Sequence, residues 1–339
     1  MNSVLVVQLK RLGDLLLTTP ALGTLRELYP KAKITLLIDR HSRHLAPAIT
    51  GVDQIWVFRG TKSIWMNLIK TRFDLCLDFT GNDRSALFSV LSKAPRRIGF
   101  SFVARRAIRS WAYSQLVLSP VRDRHTVEHY LDLVRSLAAF DSEPDISLQL
   151  PADIRKSVTL VSDEFSLPAN YFVLHPGSAR PEKYWMADRW AEVIAYATGR
   201  FNLPCIITGG QDPVELQHIE DILAKSGDRS AIFNLAGKLD LLVTASFIGR
   251  AAFFMGVDTV AAHVAAAYRL PSITLFGPTN PFHWRARHSR AIVLRAGLPG
   301  PIEYFDPRQK GAPMSELSTD AVIRAMEVLL KGRDSRENP

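Results

Sequence analysis

Short apolar runs that hand over to helical patterns recur along the whole chain, and this alternation restricts it to one broad class of fold. In the first half the runs are SVLVVQL, ITLLID, QIWVF and FDLCLDF, followed by helical patterns over residues 20–29, 42–49, 62–70 and 84–92. In the second half YFVLH, PCIITG, AIFNL, AAFFMGV and SITLFG alternate with patterns over 188–198, 213–225, 239–249 and 259–268. Strand-sized runs joined by helices predict parallel sheets covered on both faces. A chain of 339 residues exceeds what one core ordinarily organises, so two doubly wound domains are expected. The Pro- and acid-punctuated segment 140–157 marks the boundary, giving domains 1–155 and 156–317. A third segment, 318–339, holds a last helix over 318–330 with Ser318, Thr319 and Asp320 as cap and first turn, plus a polar tail; Val322, Met326 and Leu329 form its apolar stripe.

Composition narrows the function classes. The N-terminal run VLVV is four residues long before Gln8, too short for a signal-peptide core, so a cytoplasmic protein is expected. The uncharged stretch 270–284 carries three prolines and is too short and broken to span a bilayer. Cys76 and Cys205 lie in separate halves inside apolar runs, which suits buried thiols in a reducing compartment and no metal site. The net charge of +9 is uneven: residues 1–160 hold 23 Lys and Arg against 14 Asp and Glu, residues 161–339 hold 19 against 19. Within the basic half, residues 92–115 interleave Lys93, Arg96, Arg97, Arg105, Arg106 and Arg109 with Phe100, Phe102, Trp111 and Tyr113. That pattern fits either an anionic partner, a nucleic acid or a phosphorylated lipid surface, or a solvated basic face over core aromatics. No nucleic-acid module accompanies it, so no nucleic-acid partner is expected.

Ligands of open α/β sheets bind at the carboxyl ends of strands, and four loops there carry chemistry. After the first strand come Lys10, Arg11, Gly13 and Asp14, where Gly13 lets the backbone approach a ligand and Asp14 either caps the following helix or acts as a general base facing the cleft. Thr19 and Pro20 already supply a cap and a first-turn proline, which leaves Asp14 in a separate turn. The loop HPGSARPEKYW gathers Gly177, Ser178, Arg180 and Lys183, an anion-binding set. TGGQDPVE offers Asp212 or Glu215 to a ribose hydroxyl, or Asp212 as an ordinary helix cap. In FMGVDTVAAH a strand ends at Gly256, Asp258 and Thr259 open an alanine-rich helix, and His263 follows; the helix N-terminus would present about half a positive charge to a diphosphate. Asp258 and His263 would stand about 140° apart were both helical, an objection that lapses if Asp258 precedes the helix. Neither a GxGxxG fingerprint nor a GxxxxGK[ST] loop is present, so dinucleotide redox and P-loop chemistry lose their support.

At these loops the sequence resembles the ADP-heptose:lipopolysaccharide heptosyltransferases of glycosyltransferase family 9. The resemblance rests on RLGDLLLTTPAL, HPGSARPEKYW, LAGKLDLL, FMGVDTVAAHVAAA and ITLFGPTNPFHW in that order, runs from about residue 3 to 330, and leans toward the heptosyltransferase III-like subgroup. It implies an α/β GT-B architecture: two Rossmann-like doubly wound domains with a cleft between them and a C-terminal helix crossing back. The N-terminal domain would bind the acceptor and the C-terminal one the nucleotide sugar. By resemblance Asp14 is the base and Lys183 the phosphate-binding lysine, while Gly256, Asp258, Thr259 and His263 belong to the donor site. Gly177 and Ser178 hold the place of a hydroxyl pair found in some relatives, with one hydroxyl kept. Asp212 or Glu215 would be the ribose ligand. The implied reaction is inverting transfer of heptose from ADP-heptose to the lipopolysaccharide inner core without metal or cofactor. The lipid A–core acceptor, at the anionic inner membrane surface, would be bound by Lys10, Arg11, Gly13, Arg96, Arg97, Arg105 and Arg106. Two other readings remain: a GT-B transferase using another nucleotide sugar or polysaccharide acceptor, and a non-catalytic family member that binds lipid or nucleotide.

Overall fold

The computed structural model describes residues 1–60, 62–105, 107–140 and 144–331. The chain divides into two compact units, Met1–Gln149 and Leu150–Pro339. In the first unit the order is β1 (Ser3–Gln8), α1 (Leu12–Leu17), α2 (Thr19–Leu28), β2 (Lys33–Asp39), β3 (Gln54–Phe58), α3 (Lys62–Lys70), β4 (Leu75–Asp78), α4 (Asp83–Leu91), β5 (Arg96–Phe100), α5 (Ala107–Ser110), β6 (Gln115–Val117) and α6 (Thr126–Arg135). The strands form one parallel sheet in the order β3-β2-β1-β4-β5-β6. Val4, Leu5, Val6 and Val7 are fully buried, as a central strand covered on both faces must be. The chain runs outward from β1 to β3 and then restarts at β4, so the order reverses between β1 and β4. That switch point opens a crevice at their carboxyl ends.

Two stretches of this unit differ from the sequence expectation. Residues 42–49 form no α-helix; the chain makes 3-10 turns at Arg40–Ser42 and Ala46–Ala48. Pro47 has no N–H to continue an α ladder, and Asp39 draws the chain into the first turn by accepting from the His41 N–H. The basic segment 92–115 contains a strand, β5, that its cation density hides, and ends where β6 begins. Phe100 and Tyr113 are buried and Trp111 is 76% exposed, so the aromatics divide between core and surface.

The second unit runs α7 (Ile154–Glu164), β7 (Phe172–His175), α8 (Ala187–Phe201), β8 (Cys205–Ile207), α9 (Pro213–Lys225), β9 (Ile232–Asn234), α10 (Leu241–Arg250), β10 (Phe254–Val257), α11 (Val260–Ala267), β11 (Ser272–Phe276), α12 (Pro281–Trp284), β12 (Ala291–Arg295) and α13 (Thr319–Leu330). Its parallel sheet, β12-β11-β10-β7-β8-β9, has the same plan, with the switch point between β7 and β10. Trp185 and Trp190 meet edge to face in its core, with ring centroids 4.9 Å apart. Ser318 caps α13 by accepting from the Ala321 N–H, and Val322 and Met326 are fully buried in that same core. Both cysteines are free and buried. Among the described residues no helix is long and apolar enough to cross a membrane.

Candidate functional site

In the first unit the loop after β1 folds at once into α1, a helix of six residues. Its N-cap is Arg11, in extended conformation and without a side-chain capping bond, and Asp14 lies in the first turn. Asp14 is therefore not a cap, and α2 starts separately with Thr18 in the N-cap place and Pro20 in its first turn. The Asp14 carbonyl accepts from the Thr18 hydroxyl (2.7 Å), whose oxygen accepts from Gln8 Nε2 (2.7 Å), tying α1 to the end of β1. The Asp14 side chain is partly exposed, and its Oδ1 accepts from the Tyr130 hydroxyl of α6 at 2.6 Å. Lys10 Nζ donates to the same hydroxyl at 3.3 Å and lies 5.0 Å from the Tyr130 ring centroid. Burial lowers the Lys10 pKa, against the pull of Asp14 and Asp78. Asp78, at the end of β4, is fully buried and accepts from the Thr80 and Gly81 N–H groups and the Tyr113 hydroxyl; burial raises its pKa.

This arrangement corrects several sequence assignments. Lys10 turns onto Tyr130 and is half-buried; Arg11 is exposed. Gly13 is the second residue of α1, in a helical first turn where an irregular loop was expected. Arg96 and Arg97 open β5, paired with Leu75 and Cys76 at the start of β4, and so lie at the amino edge of the sheet, opposite Asp14. Arg97 is committed there, donating to the carbonyls of Ala112 and Ala94, both at 2.7 Å. The strand runs away from them, which the sequence could not show without β5. The backbone of Arg105 ends a 3-10 turn after β5, on the carboxyl edge; its side chain and all of Arg106 lie outside the described residues.

In the second unit the switch point joins the loops after β7 and β10. Lys183 ends a 3-10 turn, and its Nζ donates to the Asp258 carboxylate at 2.6 Å and to the Asp258 carbonyl at 2.8 Å. Both side chains are about nine-tenths buried, with 12% and 8% exposed. Thr279, in the loop after β11, donates to the same carboxylate oxygen at 2.9 Å. The N-cap of α11 is Thr259, so Asp258 precedes the helix and its side chain is free to face Lys183 while His263 is buried on α11. The buried Thr259 hydroxyl takes no hydrogen bond among the described residues, a polar group that a ligand oxygen would satisfy. Gly256 lies within β10 opposite His175, where a Cβ would stand 2.5 Å from the His175 carbonyl oxygen. Close packing against β7 is sufficient reason for glycine there.

The two candidate ribose carboxylates have separate places. Asp212 is exposed and caps α9, its Oδ1 accepting from the Val214 N–H. Glu215 is buried and turns back over the loops, accepting from the Gly210 N–H at 2.9 Å and lying 3.9 Å from His175 Nε2. A Cβ on Gly177 would come within 2.3 Å of Glu215, and one on Gly210 within 2.9 Å. Burial raises the Glu215 pKa and pushes that of His175 down to about 4. Ser178 is buried, and its hydroxyl accepts from the Arg180 N–H at 3.1 Å. Among the described residues no three His, Cys, Asp or Glu side chains converge as a metal site would require. Sequence reasoning missed Tyr130, Asp78 and Thr279. Thr279 stands in the quoted FGPTN phrase and could have been read there; Tyr130 lies 116 residues from its partner and left no local signal.

Residues 61–303 match the model of glycosyltransferase family 9 (heptosyltransferase). The chain belongs to glycosyltransferase family 9. It is 28% identical to lipopolysaccharide heptosyltransferase 3 of Escherichia coli K12 over 333 residues, covering 94% of this chain and 95% of that protein. The fold resembles a family 9 glycosyl transferase from Veillonella parvula, with a TM-score of 0.83 and 24% identity over 97% of each chain. It also resembles the E. coli heptosyltransferase WaaC solved with ADP-2-deoxy-2-fluoro heptose, with a TM-score of 0.73 and 22% identity over 96% of this chain and 99% of that one. The two six-stranded parallel sheets are thus those of the family's known structures, and this family 9 chain is a glycosyltransferase of the heptosyltransferase kind.

Proposed function

We propose that this enzyme moves a heptose from ADP-heptose to the lipopolysaccharide core with inversion, with Asp14 as the general base. The observation that carries the reading is the state of Asp14: a carboxylate at the carboxyl end of β1, partly exposed, engaged in no cap, with one oxygen held and the other without a hydrogen bond among the described residues. Asp14 takes the proton from an acceptor hydroxyl as that oxygen bonds to the anomeric carbon. The bond from that carbon to the β-phosphate oxygen breaks on the opposite side. A base of this kind contributes about 10²–10⁴ in rate. The first unit then serves the acceptor and the second the nucleotide sugar, in keeping with a carboxylate base on the one and Lys183 with the α11 N-terminus on the other.

The leaving diphosphate gains charge at the second unit's switch point. Lys183 and the N-terminus of α11, worth about half a charge, stand there to stabilise it. Lys183, shared between Asp258 and the diphosphate, and the α11 N-terminus would supply this charge without a metal, so turnover should persist in EDTA. Glu215 is the better candidate for the ribose hydroxyls, since it faces the Gly177 loop while Asp212 is occupied as a cap. Arg11, exposed just before α1, supplies positive charge on the Asp14 edge for acceptor phosphates. The test is ADP release from ADP-heptose with a deacylated core acceptor. Asp14→Asn should lose turnover by at least a hundredfold and still bind ADP; an undiminished rate would remove the base assignment, and rapid use of ADP-glucose would redirect the donor.

A further inference from the structure

The inner face of Asp14 is more fully specified than a solvent-facing base requires. Tyr130 is completely buried on α6, packed edge to face against Phe79 with ring centroids 5.5 Å apart, and its hydroxyl is the one polar group brought to the Asp14 carboxylate among the described residues. An ammonium has only donors, so at the Lys10–Tyr130 contact the phenol oxygen accepts, and its own proton is left to be given to Asp14. The order of donors therefore runs one way, from Lys10 through Tyr130 to Oδ1. Burial, and then the neighbouring Asp14 charge, hold the phenol pKa well above its ordinary value, so the proton stays on the oxygen.

We infer that Tyr130 is a positioning residue for the reaction: its hydroxyl fixes the Asp14 carboxylate by one oxygen and leaves Oδ2, which has no hydrogen bond among the described residues, to take the acceptor's proton, while Lys10 holds Tyr130 in that role. This rests on the proposed function of Asp14. A carboxylate on a short helix can rotate about its terminal torsion, which is broad and roughly two-fold. A single charge-assisted hydrogen bond at 2.6 Å from an immobile donor removes that freedom. The ring needs no hydroxyl to pack, so Tyr130→Phe separates positioning from core filling.

The experiment is steady-state turnover of ADP-heptose with a deacylated core acceptor, in a cycle of Tyr130→Phe, Asp14→Asn and the double variant. Tyr130→Phe should lower kcat by about ten- to a hundredfold, the worth of a hydrogen bond to a charged group, with the donor KM within twofold of the parent. In the Asp14→Asn background the same change should cost less than twofold, because no base remains to be positioned. Lys10→Met should fall between parent and Tyr130→Phe. If Tyr130→Phe keeps the parent kcat, or costs as much in the Asp14→Asn background as in the parent, the residue acts only through the fold and the inference is overturned. Should Asp14→Asn itself retain turnover, the base assignment fails first, and the two failures are distinguished by that single variant. Equal melting temperatures of parent and Tyr130→Phe secure the comparison.

Discussion

Replacing Asp258 with Asn tests whether the second unit's switch point is held by charge. The carboxylate accepts from Lys183 at 2.6 Å and from Thr279 at 2.9 Å, with both members of the ion pair about nine-tenths buried. At that separation an effective dielectric of about 20 gives an attraction of roughly 6 kcal/mol before desolvation is counted. Desolvation offsets much of it, yet removing one partner leaves the other charge buried and costs about 3–5 kcal/mol. Asparagine keeps the shape, an acceptor for Thr279 and the 2.8 Å bond from Lys183 to the Asp258 carbonyl, which places the loss near the lower end, about 3 kcal/mol. In a unit of roughly 190 residues each kcal/mol lowers Tm by about 2–4 °C, so scanning calorimetry should show a fall of about 6–12 °C. Lys183→Met should cost a similar amount, and the double variant less than the two together. Under the proposed reading ADP supplies the missing negative charge, so saturating ADP should raise the Tm of Asp258→Asn by more than it raises that of the parent. A melting point within 2 °C of the parent would refute the reasoning, since Lys183 would then be held by the carbonyl and packing alone.

Other expectations follow from single side chains. Burial raises the Glu215 pKa, so its ionised form costs stability at neutral pH and that cost disappears as pH falls toward the unfolded value of about 4.5. Glu215→Gln should melt higher than the parent at pH 7.5 and show no advantage near pH 4; a gain that grows on acidification would contradict the sign. In Gly256→Ala the new methyl meets the His175 carbonyl at 2.5 Å, and urea unfolding should register a loss of about 1–3 kcal/mol, with a change under 0.5 showing that the sheet yields freely. Arg96→Ala should leave the acceptor KM within twofold, because its strand start lies on the edge away from Asp14; a salt-dependent rise would restore it to the acceptor site.

Much of the architecture was readable because its signals are local. Asp212-Pro213 announces the start of α9 and Ser318 that of α13, and both helices begin where their caps stand. The placement of Asp14 outside the main helix followed from Pro20, a local cue as well. What escaped depends on direction and distance. RRIGF reads as a basic patch until its partner strand is known, and only the parallel pairing with β4 shows that Arg96 and Arg97 mark a strand's beginning. Proline at 47 broke a helical pattern whose apolar spacing looked sufficient. Lys183 and Asp258 stood in separate loops 75 residues apart, and their ion pair exists because β7 and β10 are neighbours at a reversal of strand order. Tyr130 is harder still, since a buried tyrosine on an amphipathic helix resembles ordinary core filling until its hydroxyl is followed to Asp14.

The socket around Glu215 has a mechanical consequence. Methyl groups on Gly177, Gly209 and Gly210 would all fall within 3.1 Å of this one side chain, so α9 is wedged between two loops that reach it from different strands. Sliding or turning that helix drags both loops with it, and a molecule seated against either one would brace the other. Enlarging any of the three glycines would press on the Glu215 side chain and pry the pair apart, which makes them the fulcrum on which these two loops keep their shape.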